Sequence, residues 1–152
     1  MFQNCSGLTS LNLSGFNTSS VTNMSGMLQE CLSLTSLDLS SWNTSSLVDI
    51  NYMFRNCPSL TSLDLSSWDT SKVTKTVQAI DKCAKLKTLK WNNWKASIAL
   101  TSVGLSQEST KDIVSKLATV TESKTLDLSS NLLSYLSEDE IALANSKGWT
   151  LT

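Results

Sequence analysis

The sequence predicts an α/β chain wound as a right-handed solenoid of parallel strands and short helices, closed at its C-terminal end by a helical and strand cap. Three observations carry this. The stretch SLTSLDLSSWNTS at 33–45 returns as SLTSLDLSSWDTS at 59–71 with one change, Asn43 to Asp69. All four cysteines fall on one lattice of 26 residues, at Cys5, Cys31, Cys57 and Cys83. Apolar columns obey the same lattice: Leu11 and Leu13 recur as Leu37 and Leu39, Leu63 and Leu65, then Leu89 and Trp91, while Phe16 recurs as Trp42, Trp68 and Trp94. Self-similarity at a fixed period of this length marks a chain that stacks one supersecondary unit on the next.

Within a unit, Leu34, Leu37 and Leu39 read as an L-x-x-L-x-L strand, with Ser36, Asp38 and Ser40 alternating toward solvent. SSWNTS then turns the chain, because Ser, Asn and Thr side chains bond nearby backbone groups, and Trp42 reaches back inward. Val21, Met24, Met27 and Leu28 recur at helical spacing, as do Leu47, Ile50, Met53 and Phe54, so a short helix is expected on the opposite side. About seven apolar side chains per unit gain roughly 1.5–3 kcal/mol each on burial, but only a stacked neighbour supplies the surface to bury them against. Neighbours must match in shape, which accounts for the copied stretch.

Residues 1–105 divide into four such repeats. The first is incomplete, since MFQNC at 1–5 aligns with MFRNC at 53–57, and the fourth is degenerate, with Lys72, Lys75, Lys82, Lys85, Lys87, Lys90 and Lys95 in quick succession. An uncapped N-terminal edge is expected from this alignment, together with residues upstream of Met1 carrying a signal or anchor. Residues 106–152 read as the cap. SQESTKDIVSKLATV is amphipathic with Ile113, Leu117 and Val120 inward, KTLDLSSN restores a strand through Leu126 and Leu128, and Ser137 with Glu140 is a capping-box pair. Lys147 and Gly148 then stop the last helix before Trp149.

Composition narrows the function. Ser and Thr make up about 30% of the 152 residues, against 16% charged, so hydroxyls replace charges as solvating groups. A net charge of -1 argues against a general nucleic-acid binder. The charge is uneven, with residues 1–71 at -4 and 72–152 at +3. No apolar run approaches the ~20 residues a membrane helix needs, so no membrane insertion is expected. Histidine is absent, which excludes Ser-His-Asp and Cys-His chemistry, and no Gly-rich phosphate loop or metal motif is present. Cysteines 26 residues apart would stack in a line rather than surround an ion, so they read as a buried thiol ladder.

The pattern MF-x-x-C-x-S-L-T-S-L-D-L-S-x-W-N-T-S-x-V-x-x-M resembles the BspA-type leucine-rich repeats of bacterial surface proteins, and the ending LSEDEIALANSKGWTLT is similar to the segment that closes such arrays. The resemblance implies a leucine-rich-repeat solenoid and a secreted or cell-surface protein used in adhesion. It brings no catalytic residues and no cofactor.

Two candidate surfaces follow. The exposed strand columns Ser10, Ser36, Ser62, Thr88 and Thr125, then Asn12, Asp38, Asp64, Lys90 and Asp127, then Ser14, Ser40, Ser66, Asn92 and Ser129 are expected to pave one face, where stacked-repeat proteins commonly bind. Its central residues are Ser36, Asp38, Ser40, Ser62, Asp64, Ser66, Thr88, Lys90 and Asn92. The lysines Lys72, Lys75, Lys82, Lys85, Lys87 and Lys95 are a candidate polyanion patch. The expected function is a non-enzymatic adhesion or recognition module for a host or neighbouring-cell surface protein or glycan. The alternative is a purely structural stalk or particle component, such as a surface-layer or phage appendage part, assembling through the N-terminal edge.

Overall fold

The computed structural model describes residues 1–152. Its strands are β1 (Ser62–Leu65), β2 (Thr88–Trp91), β3 (Ile98–Leu100), β4 (Lys124–Leu128) and β5 (Trp149–Leu151); its helices are α1 (Gln107–Ser115), α2 (Ser130–Leu133) and α3 (Glu138–Ser146). The strands form two separate parallel sheets, β1-β2 and β3-β4-β5. All three helices lie beyond residue 106.

This corrects the expected fold class. A leucine-rich-repeat solenoid needs a strand and a short helix in each unit and one continuous strand stack; here the first units hold neither, and the sheets are two small ones. The segments expected as helices are pairs of tight turns. In 50–56 the N–H groups of Ile50, Tyr52, Phe54 and Asn56 donate to the carbonyls of Lys75, Val77, Ala79 and Asp81, at 2.8–2.9 Å. The intervening N–H groups of Met53 and Arg55 close back three residues, onto Ile50 and Tyr52. Met24, Gly26, Leu28 and Glu30 donate in the same way to Asp49, Asn51, Met53 and Arg55. A positive φ at Tyr52 (59°) and Asn56 (59°) lies outside the helical region and turns alternate amides toward the next segment. The inward apolar spacing is the same in either conformation, which is why it reads as helical.

The 26-residue spacing therefore acts through hydrogen bonds between successive turns. Buried threonines bridge them twice over: the Thr18 hydroxyl donates to the Asn43 carbonyl at 3.0 Å and accepts from the Asn43 N–H at 2.9 Å, and Thr44 does the same with Asp69 at 3.2 and 2.8 Å. Thiols do likewise, Cys31 donating to the Phe2 carbonyl, Cys57 to Leu28 and Cys83 to Phe54, at 3.1–3.2 Å. All four cysteines are free, and Cys31, Cys57 and Cys83 are fully enclosed. Trp42 and Trp68 stack at 6.1 Å between centroids. One core of 37 buried residues runs through the whole chain.

After residue 91 the chain changes partners. The backbone between Cys83 and Trp94 and the following segment is linked by isolated parallel bridges, Cys83 with Val103 and Trp94 with Leu117. Gly104 sits where a Cβ would lie 2.4 Å from the Ala84 carbonyl oxygen, so no other residue fits without moving backbone. α1 opens on its N-cap Ser106, and α3 carries the capping box of Ser137 and Glu140. β4 pairs with β3 and β5, and not with β2. No helix is long and apolar enough to cross a membrane.

Candidate functional site

The register of β1 on β2 sets the exposed face: Ser62 lies beside Thr88, Asp64 beside Lys90, with Leu63, Leu65, Leu89 and Trp91 turned into the core. Ser36, Asp38 and Ser40 continue the face in the preceding unit, where the chain is extended without a ladder and Thr61 donates its N–H to the Thr35 carbonyl. Ser10, Asn12 and Ser14 lie beside them, lining a shallow cavity shared with Ser36 and Asp38. Thr125, Asp127 and Ser129 do not join this face, because β4 belongs to the other sheet. The expected five-unit columns therefore stop at the fourth unit.

Much of the polarity of this face is engaged internally. The Asp38 carboxylate accepts from the N–H and the hydroxyl of Ser40, at 3.0 and 2.7 Å, and Asn12 holds Ser14 alike. The Ser40 hydroxyl keeps the Asp38 carboxyl below its ordinary value. The N–H of Ser66 donates to Asp64 at 2.9 Å. The Ser66 hydroxyl holds the Asp64 carboxyl low, and Lys90 and Lys116 pull it the same way. These are Asx turns that bend the chain out of each strand. In the fourth unit Lys90 replaces the acceptor and Asn92 instead donates across to the Ser66 carbonyl at 3.3 Å.

The six lysines of the candidate polyanion patch are not gathered together. Lys75 pairs with the buried Asp49 at 3.4 Å on the tight-turn side. Lys72 and Lys95 flank Asp69 at the strand exit, where the Ser71 N–H is the main influence holding the Asp69 carboxyl low. Lys82, Lys85 and Lys87 occupy the turns that lead into β2, Lys87 beside Gly104.

Sequence reasoning missed the part of the face built by α1. Ser109 is buried, its hydroxyl accepting from the Leu89 N–H at 2.9 Å and donating to the Leu89 carbonyl at 3.1 Å, so a side chain stands in for the next strand. The Trp91 indole N–H donates to the Ile113 carbonyl at 2.8 Å and fixes the other end. Between β2 and α1 lies a cavity of about 340 Å³ lined by Thr88, Lys90, Ser106, Glu108, Asp112 and Lys116. The signal was present: Glu108, Asp112 and Lys116 recur every four residues on one helix face, and Ser109 and Thr110 stand in the inward stripe.

The family described as "Mycoplasma protein of unknown function, DUF285" matches residues 1–116. The chain belongs to this family. The match takes in every unit that carries the face and ends at Lys116, the last residue lining the β2-α1 cavity, so the whole candidate site lies inside the family's span. Neither a curated protein nor a solved structure matches the chain.

Proposed function

We propose that this chain is a non-enzymatic recognition module of a bacterial cell surface, akin to the BspA-type surface proteins, that meets a host or neighbouring-cell partner through the β1-β2 face. One observation carries the reading. The face is rigidly backed by leucines and Trp91, presents Ser62, Asp64, Thr88 and Lys90 to solvent in fixed register, and widens at its α1 end into a charged cavity. Fixed polar groups on a stiff sheet suit directional recognition, because little side-chain and backbone freedom remains to be lost on binding.

The competing reading is a structural spacer. It draws on the Asx turns, which spend the Asp38 and Asp64 carboxylates on the chain itself. Saturable binding of the purified chain to intact host cells separates the two. The recognition reading predicts saturation, and loss of most binding in the double charge reversal Asp64→Lys with Lys90→Glu. Binding unchanged by that reversal, or no saturable binding at all, favours the spacer.

A further inference from the structure

This inference rests on the recognition reading and assigns the seat on that face and the chemistry it takes. The cavity between β2 and α1 is lined by side chains of both charges. Four ionised side chains line it: Lys90 from β2, Glu108 and Asp112 from α1, and Lys116 at the C-cap of that helix. Two are committed to each other. Lys116 reaches both carboxylate oxygens of Asp112, at 3.0 and 3.1 Å, while the neighbouring Asp64, outside the lining, is held by the Ser66 N–H.

Two are left over, and they carry opposite charge. Lys90 makes no ion pair within 4.0 Å although Asp64 is its neighbour in register, and Glu108 makes none either. They stand on the two walls, Lys90 on β2 and Glu108 in the first turn of α1. The walls keep their spacing because the Ser109 and Trp91 hydrogen bonds tie α1 to β2. A ligand bearing a single charge would satisfy one wall and be repelled by the other, whereas a dipolar ligand satisfies both. The lining is polar throughout except for Leu89, so neither wall offers a pocket for an apolar side chain.

We propose that this groove seats a segment of a partner protein that presents an acidic and a basic side chain close together. The acidic side chain takes hydrogen bonds from the Lys90 ammonium; the basic one donates to the Glu108 carboxylate. Both contacts are charge-assisted and partly exposed, so the seat supplies orientation and selectivity more than affinity.

The test is an amide chemical-shift titration of the full chain with three blocked tripeptides: N-acetyl-Asp-Gly-Lys-amide, and the same peptide with either its Asp or its Lys replaced by Ala. The dipolar peptide is expected to give saturable shifts confined to Thr88, Lys90, Ser106 and Glu108, and each singly charged peptide to bind roughly two- to fivefold more weakly. Lys90→Glu and Glu108→Lys each bring the same loss, and combining them restores binding, because a short peptide can lie the other way round. Both positions are exposed, so unchanged shifts elsewhere report an intact fold. Equal affinity for the three peptides, shifts outside the groove, or no recovery in the double variant overturns the assignment. If the peptides fail while the Asp64 and Lys90 reversal still abolishes cell binding, the groove assignment falls alone; if that reversal is also silent, the recognition reading falls with it.

Discussion

Asn4, Glu30, Asn56 and Lys82 occupy one lattice column, and all four hold φ between 58° and 62°. Gly26, Tyr52 and Gln78 form a second such column, at 62°, 59° and 49°. Asparagine and glycine tolerate this conformation, whereas glutamate and lysine do so at a cost; Glu30 is held there with its N–H on the Arg55 carbonyl of the next turn. Glu30→Gly and Lys82→Gly are each expected to stabilise the fold by up to about 1 kcal/mol, and Gly26→Ala to destabilise it by about the same, in urea unfolding. The buried thiols give a second residue-scale test. Burial pushes Cys57 up to about 12 and Cys83 up to about 11, from an ordinary 9.0. A thiol whose folded pKa is raised favours folding in its neutral form, so this contribution is full below pH 9 and is lost as pH rises through 11 to 12. Thermal unfolding should therefore fall in temperature above pH 9. Cys57→Ala is expected to flatten that decline while costing about 1–3 kcal/mol at neutral pH, since the Leu28 carbonyl loses its donor.

At the scale of elements, α1 is placed by one hydroxyl and one indole. Ser109→Ala leaves the Leu89 N–H and carbonyl without their partner in a dry setting, at a cost of about 1–3 kcal/mol. Amide exchange at Leu89 should accelerate well beyond that at Leu63, and Ser109→Thr should retain more protection than Ser109→Ala. How far the elements could be read from the sequence depended on what fixes each. The lattice of Leu63, Leu65, Leu89 and Trp91 fixed which side chains point inward, and those four are buried. The capping box of Ser137 and Glu140 fixed where α3 begins, because its partners are three residues apart. Inward spacing does not say which carbonyl an amide will choose, so Ile50, Met53 and Phe54 read as a helix when the Ile50 and Phe54 amides serve the neighbouring turn and Met53 closes back three residues onto Ile50. KTLDL repeats the strand motif but joins β3, since α1 already covers the edge of β2; motif likeness carries no information about which edge is open.

At the scale of the molecule, one core joins the stacked turns to the C-terminal elements, and Gly104 lies at the passage between them. Gly104→Ala should destabilise the whole chain, because its Cβ meets the Ala84 carbonyl and the backbone on one side must give way. The expected readout is a lower midpoint in a single transition followed by both far-UV dichroism and Trp fluorescence; two separated transitions would mean that the stacked turns and the C-terminal elements unfold independently. The lysines, dispersed over different corners, report which side of the molecule meets a partner. Lys90 and Lys116 line the β2-α1 cavity, Lys75 projects from the tight-turn side with 60% of its side chain exposed, and Lys82 and Lys85 are exposed on the turns before β2. Acetylation footprinting of the chain bound to intact cells therefore tests the recognition face most directly. Protection of Lys90 and Lys116, with Lys75, Lys82 and Lys85 modified as in the free chain, is the predicted result; bound chain whose Lys90 and Lys116 remain as reactive as in solution contradicts it.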